Sequence, residues 1–459
     1  MRPVDEFFPE PRMDGSKFKL TVAKDAPPGI YEVRAAGYFG LSTARPFVVA
    51  PIDSNEVIES GDHSTRDKAM AIEGNSLVTG SVGSRGIDWY RFHANSGQRL
   101  LIEIRAERID SRMDVLIVLY DESGREVGRN REHFQRDPFL EWSSEQDGTF
   151  YLAVSDILYR GSGDHFYRLS VSDRPHIDFI DPPAGEPGTK QRYTLYGRNL
   201  PDSTMSGVKA RDGKPLESVQ VEIELPNETD TPAEYHPGER RQGMMPGFDY
   251  RIGNSNVVRI GFATARVIAE NSKLHLQNVT VPAEIAGRFD EANDEDLFRF
   301  HAEQGKTYCV EAIADRMGSK VDPYLVIHRI TNAADGQETR TQVVDNDDMP
   351  SFFSVDGKNS INVDTYDAAV TFTAEDDGEY TVTIVNQFGG GSAVNLYRLA
   401  IREPTYDFQL LATTEHPLPT NRTGFSVTPH LRQVRNASTQ QTLLRNHAWD
   451  HDRYLMACR

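Results

Sequence analysis

Two short runs in this 459-residue chain bring together side chains that could do chemistry: Asn293-Asp294-Glu295-Asp296 and Asp345-Asn346-Asp347-Asp348. Carboxylate and amide oxygens at this density are hard donors, the kind that Ca²⁺ gathers in sets of about six to eight. Asp294, Asp296, Asp345, Asp347 and Asp348 are therefore the candidate metal ligands, and calcium is the candidate ion. Other chemistry finds no matching pattern. The chain contains no HExxH, CxxC, GxSxG or phosphate-cradling GxxxxGK motif. His236-Pro237-Gly238-Glu239 sits in a Pro- and Gly-rich stretch with no metal-ligand spacing. No catalytic residue is assigned.

The elements that must position these acids belong to a repeat. Asp88–Asp114, DWYRFHANSGQRLLIEIRAERIDSRMD, recurs without a gap as Asp296–Asp322, DLFRFHAEQGKTYCVEAIADRMGSKVD. Eleven of the 27 aligned positions are identical, among them Arg91/Arg299, Phe92/Phe300, His93/His301, Gly97/Gly305, Glu103/Glu311 and Arg108/Arg316. A repeat of this length makes the chain an array of modules. The match resumes at Asp147-Gly148-Thr149-Phe150 with Asp377-Gly378-Glu379-Tyr380, and at Tyr167-Arg168-Leu169 with Tyr397-Arg398-Leu399. The offset grows from 208 to 230, which places a 22-residue surface insertion between Asp322 and Asp377. Alternation puts Tyr90, Phe92, Phe298 and Phe300 on the core face of a strand. His93 and His301 then point outward, as cross-strand partners rather than catalysts. Gly97 and Gly305 are expected in turns with positive φ. Tyr167 and Tyr397 are expected as core or corner aromatics.

Composition narrows the function classes. There are 69 acidic and 50 basic residues, a net charge of −19, which opposes binding to nucleic acid or to an anionic membrane. No apolar run is long enough to span a bilayer. The first fifteen residues lack the apolar core of an export signal. Of the two cysteines, Cys309 aligns with Leu101 and reads as a small buried residue. One distant pair leaves the redox compartment open.

Taken in order, residues 1–50 read as a partial Ig-like domain, of which 18–50 alternate like its last strands, with Phe18, Leu20 and Val22 on one face of a first strand. The opening strands of that domain are missing, and truncation is the expected reason. Residues 51–77 read as an acidic linker, 78–173 as the first repeat and 174–280 as a different Ig-like unit with a long loop at 226–255. The second repeat follows at 281–403, with its insertion near 330–365. In the tail, 404–459, alternation stops after about Leu431. Either a weak helix follows or a chain end foreign to the parent fold, as after a frameshift. Short apolar runs punctuated by Gly, Ser and Asp turns predict an all-β chain of tandem β-sandwich modules, jelly-roll or Ig-like, with an irregular C-terminal tail.

The repeats resemble the bacterial pre-peptidase C-terminal domain. The resemblance is carried by Gly80 and Gly287, and by Asp88-Tyr90-Phe92 and Asp296-Phe298-Phe300. Ala94-x-x-Gly97 and Ala302-x-x-Gly305 continue it, as do Ser111/Asp114, Ser319/Asp322 and the closing Tyr-Arg-Leu. Ile177 to Leu200 resembles the start of an IPT/TIG-type Ig-like domain. Alternation of the two kinds is similar to large exported bacterial multi-module proteins. The resemblance implies a secreted, periplasmic or cell-surface location and an accessory, binding or spacer role. It implies a protein or glycan surface as partner, and a parent protein that can include a protease or other hydrolase domain outside this chain. It also implies calcium held by linker acids together with the Asp before the aromatic strand. Glu56, Glu59 and Asp62 precede the first repeat and Glu270-Asn271 the second, a departure from the family's linker pattern.

Overall fold

The computed structural model describes residues 19–404 apart from 25, 38–39, 43–44, 52, 228–244, 333–336, 349–352, 355–359 and 362–364, together with strands 409–413 and 430–434. It is nearly all β. Among the described residues the helical pieces are single 3-10 turns such as Glu107–Ile109 and Asp315–Met317.

The first repeat supplies ten strands: β1 (Asn55–Ile58), β2 (Met70–Ala71), β3 (Ser76–Ser81), β4 (Asp88–Ala94), β5 (Arg99–Arg105), β6 (Val115–Tyr120), β7 (Glu126–Asn130), β8 (Phe139–Ser143), β9 (Gly148–Asp156) and β10 (Phe166–Ser172). They form two five-stranded sheets, in the orders β7-β6-β9-β4-β2 and β8-β5-β10-β3-β1. Alternating residues of both sheets, among them Val78, Tyr90, Phe92, Ile102, Ile117, Leu152 and Leu169, meet in one buried cluster. The acidic stretch 51–77 is no free linker. Its β1 and β2 pair in parallel with β3 and β4, adding an edge strand to each sheet.

Between the repeats, β11 (His176–Asp181), β12 (Ala184–Gly185), β13 (Lys190–Arg198), β14 (Thr204–Lys209), β15 (Pro215–Glu224), β16 (Gly247–Tyr250) and β17 (Val258–Phe262) form a four-stranded and a three-stranded sheet. A separate core lies around Ile177, Tyr193, Leu195 and Ile260. The stretch 226–255 is not loop throughout, because β16 pairs antiparallel with β17.

The second repeat supplies β18 (Val267–Ala269), β19 (Gln277–Asn278), β20 (Ala283–Arg288), β21 (Glu295–Ala302), β22 (Thr307–Ile313), β23 (Pro323–Asn332), β24 (Glu338–Asn346), β25 (Ala368–Thr373), β26 (Gly378–Asn386) and β27 (Leu396–Arg402). Its sheets run β18-β20-β27-β22-β25 and β19-β21-β26-β23-β24, the order of the first repeat strand for strand. The insertion is split. Ile117 pairs with Asn130 and Leu325 with Asn346, so the offset has already reached 216 across a lengthened β23–β24 hairpin. The remainder falls between Asn346 and Asp367.

Shared letters serve packing. In each copy an Asp on the strand approach caps a 3-10 turn: Asp137 accepts the N–H groups of Ala106 and Glu107 at 3.0 and 2.8 Å, Asp367 those of Ala314 and Asp315 at 2.7 Å each. The same carboxylates hold Arg108 and Arg316, whose other nitrogens reach Glu103 and Glu311. Burial by itself would raise the Glu311 carboxyl. Arg316 and Arg402 outweigh it and bring the pKa down to about 2. Gly97 and Gly305 both take φ of +77°, and Asp147 and Asp377 each accept a backbone N–H from the turn beside them at 2.7 Å. Cys309 is fully buried where Leu101 packs in the first copy.

One expectation at the N-terminus differs. The strands Gly29–Val33 and Arg45–Val49 do pair. Leu20 and Val22, expected in a strand, stand about half exposed in coil, because no described strand offers them a partner. Phe18 and most of the tail lie outside the described residues. Within the tail, Gln409–Thr413 and His430–Val434 pair antiparallel, so residues 430–434 form a strand.

Candidate metal centre

The site begins with a glycine. Tyr167 on β10 faces Gly80 on β3, and a Cβ at residue 80 would lie 2.6 Å from the Tyr167 Cζ. Only a bare α-carbon lets the ring lie flat there. So placed, the Tyr167 hydroxyl donates to Asp88 Oδ2 at 2.8 Å and meets the Tyr90 hydroxyl at 2.6 Å. Asp88 is the first residue of β4.

Glu59 follows β1, and its N–H continues the parallel ladder onto the Thr79 carbonyl at 2.9 Å. That register carries its side chain over β3, where the Ser81 N–H and hydroxyl donate to Oε1 at 2.8 and 3.2 Å. The link then turns back. Trp89 N–H donates to the His63 carbonyl at 2.9 Å, which seats His63 beside Asp88. His63 Nδ1 lies 3.1 Å from the Gly61 carbonyl, an acceptor, so Nδ1 is the donor there and Nε2 is the nitrogen turned toward the carboxylates. Nε2 lies 3.4 Å from Glu59 Oε2 and 3.7 Å from Asp88 Oδ1, and has no hydrogen-bond partner. His63 and Asp88 are each only 8% exposed. Among the described residues, Glu59, His63 and Asp88 are the group of three whose ligand atoms all fall within 4.8 Å of one another. Burial pushes the Asp88 carboxyl up to about 6; the Tyr167 hydrogen bond opposes that shift and the nearby Glu59 charge adds to it. Asp62 takes no part, being turned to Ser64 and Lys68.

The second repeat rebuilds part of this arrangement. Glu270 occupies the place of Glu59: its N–H donates to the Ala286 carbonyl and it accepts the Arg288 N–H, both at 2.9 Å. Tyr397 lies over Gly287 and donates to Asp296 Oδ2 at 2.7 Å. His63 has no counterpart, because the stretch from Glu270 to Gln277 is four residues shorter than that from Glu59 to Met70. Acids of the β20–β21 turn come near instead. Asp294 accepts the Asp290 N–H at 2.8 Å and adds its charge to the site. Burial drives Asp296 up to about 8; the Tyr397 hydrogen bond opposes this, while Glu270 and Asp294 reinforce it. Glu270 is also raised, first by burial and further by the charges of Asp294 and Asp290.

The five acids singled out in the sequence do not form one ligand set. Asp294 and Asp296 lie together at the start of β21. Asp345, Asp347 and Asp348 lie at the end of β24, with β26 and β23 between. No three of the five bring oxygens within 4.8 Å of each other. Asp345 accepts the Tyr324 hydroxyl at 2.6 Å and Gln342 Nε2 at 2.8 Å, and Asp347 accepts Gln387 Nε2 at 3.2 Å. Burial, then the charges of Asp348 and Asp347, raise Asp322 to about 6. The second acidic run thus completes a separate cluster around Asp322. His301 is exposed and meets Glu379, its cross-strand neighbour, at 3.1 Å. Sequence comparison of the repeats could not reveal His63. It lies in the stretch where the copies differ in length, and its only signal is an unmatched His four residues after a linker Glu.

No family model matches the chain. It is 25% identical over 150 residues to a probable subtilase-type serine protease of Deinococcus radiodurans, covering 30% of this chain and 21% of that protein. The chain thus spans about a fifth of that relative. Among solved structures, the pre-peptidase C-terminal domain of a Bacillus anthracis collagenase is 10% identical, covering 28% of this chain and 94% of that domain at a TM-score of 0.19. The N-terminal CBM22 tandem of Paenibacillus barcinonensis Xyn10C is 8% identical, covering 72% of this chain and 87% of that one at a TM-score of 0.15.

Proposed function

We propose that the chain is a non-catalytic accessory array of β-sandwich modules from a secreted or cell-surface bacterial protein, which binds a protein or glycan surface or spaces other domains. One observation carries this reading. Most identities shared by the two repeats have packing roles within each copy, as turn glycines, Asp caps, Arg–Glu–Asp pairs and the Tyr–Asp contact. Hydrolysis needs a nucleophile or activated water with a base in reach, whereas these groups serve to hold each copy together. Assays of the full chain on casein and on a polysaccharide panel test the proposal. Retention on insoluble polysaccharide or protein without turnover is expected, and any turnover that survives purification to homogeneity overturns it.

A second reading has its own observation. The relative over 150 residues is a subtilase-type protease of which this chain spans a minor part. On that reading the array is the non-catalytic part of an exported protease or other hydrolase. Sequencing the gene past both ends decides it: Asp, His and Ser protease motifs in frame support it, and their absence ends it.

Calcium belongs to the second repeat in this proposal, at Asp294 and Asp296 with Glu270, whose charges act on one another and raise the Asp296 and Glu270 carboxyls. A cation bound there would offset that mutual repulsion. Asp345, Asp347 and Asp348, with Asp322, form the other acidic candidate. Saturating Ca²⁺ is expected to raise the melting temperature, since a ligand bound only by the native state stabilises it. An unmoved midpoint removes calcium.

A further inference from the structure

We infer that Glu59, His63 and Asp88 form a binding site for a divalent transition ion of the zinc class. The proposal does not depend on the accessory role. It rests on three geometric facts.

First, the ligand atoms stand close to the separations that such an ion needs, all within 4.8 Å of one another. Metal–nitrogen and metal–oxygen distances of about 2.0–2.2 Å put neighbouring ligands of a tetrahedral centre about 3.3–3.6 Å apart. His63 Nε2 stands 3.4 Å from Glu59 Oε2 and 3.7 Å from Asp88 Oδ1.

Second, each ligand is fixed by its other end. Ser81 holds Glu59 Oε1, the Gly61 carbonyl holds His63 Nδ1 and the Tyr167 hydroxyl holds Asp88 Oδ2. Outer contacts of this kind orient the ligands, and the Tyr90 hydroxyl reaches Glu59 Oε2 only at 3.4 Å. Third, His63 Nε2 is buried and makes no hydrogen bond, facing only the two carboxylate oxygens at 3.4 and 3.7 Å, an arrangement an ion between them would complete.

The donor set selects the ion. One imidazole and two carboxylates match zinc-class ions, whereas calcium prefers a larger all-oxygen shell. Two carboxylates also balance the charge of a dication. Three protein ligands leave a fourth position for water. Bound there, the ion would clamp the 59–63 link onto β4. The second repeat lacks the imidazole, so the two copies differ in metal chemistry.

The test is titration of the metal-free full chain with Zn²⁺ by calorimetry, with Mg²⁺ and Ca²⁺ in parallel. The expected result is a saturable Zn²⁺ event of one ion per chain that is weakened at least tenfold in His63→Gln. Asp88→Asn should weaken it likewise, while binding elsewhere on the chain is unchanged in both variants. X-ray absorption of the Zn²⁺-loaded wild type supplies a readout that needs no variant, with one imidazole and otherwise oxygen neighbours at about 2.0–2.2 Å. Zn²⁺ binding unaltered by His63→Gln, a shell without imidazole, or no Zn²⁺ event at all would overturn the proposal.

Discussion

Tyr397 donates its hydroxyl to a buried carboxyl, and removing that hydroxyl leaves Asp296 short of a partner in a site it cannot leave. Tyr397→Phe should therefore cost about 1–3 kcal/mol in a denaturant titration. The same acid makes a pH prediction. An Asp raised to about 8 in the folded state, against an ordinary value of 3.8, keeps its proton longer than it does in the unfolded chain. Its contribution is complete at low pH and is lost as pH rises through about 8. His133 and His176, lowered by burial to about 4 and about 3, act in the opposite direction at lower pH, so the difference between variants is the proper readout. Asp296→Asn should flatten the fall in melting temperature between pH 5 and pH 8. An identical slope in wild type and variant would show that the carboxyl ionises normally.

At the scale of strands and turns, two glycines at matched positions of the second repeat have different reasons to be glycine. A Cβ on Gly287 would come within 2.2 Å of the Tyr397 ring, inside a sheet that has no slack. Gly287→Ala should cost about 1–3 kcal/mol or more, as overpacking does. Around Gly305 there is open space, and only the φ of +77° resists a side chain. Gly305→Ala should cost about 1 kcal/mol, the usual left-handed penalty. Thermal melts of the two variants side by side check the order. A Gly305 variant that falls further than the Gly287 variant would refute the account of the Tyr–Gly contact.

Across the whole molecule, the repeats are joined through charged contacts rather than a shared core. Arg198 of the middle unit is fully buried, 2.8 Å from both Glu141 of the first repeat and Asp212 of its own unit, over the Phe139 ring. Arg99 bonds Glu217 across the same junction. At the other junction Arg288 pairs with Asp181, and Arg398 reaches the Phe262 carbonyl at 3.0 Å. Arg198→Met would strand buried carboxylates at a cost of about 3–5 kcal/mol. Calorimetry should then separate the melting of the first repeat from that of the middle unit. A single unsplit transition at the wild-type temperature would mean that the junction is held by other contacts.

The sequence by itself determined the main strands of the repeats, the duplication and the core faces, but not the edge strands of the 51–77 link. Period-two alternation and turn residues are local signals, and the same letters met the same backbone twice. It put Phe92 and Phe300 inside, His93 and His301 outside, and Gly97 and Gly305 at positive φ. The tertiary structure alone decided which acids meet. Asp294–Asp296 and Asp345–Asp348 look alike along the chain, yet strand order sets them apart, two strands intervening in the sheet. Glu59, His63 and Asp88 look unrelated, yet parallel pairing of β1 with β3 and the turn back to Trp89 bring them within 4.8 Å. Ligand geometry depends on contacts between distant segments, and no local pattern encodes them.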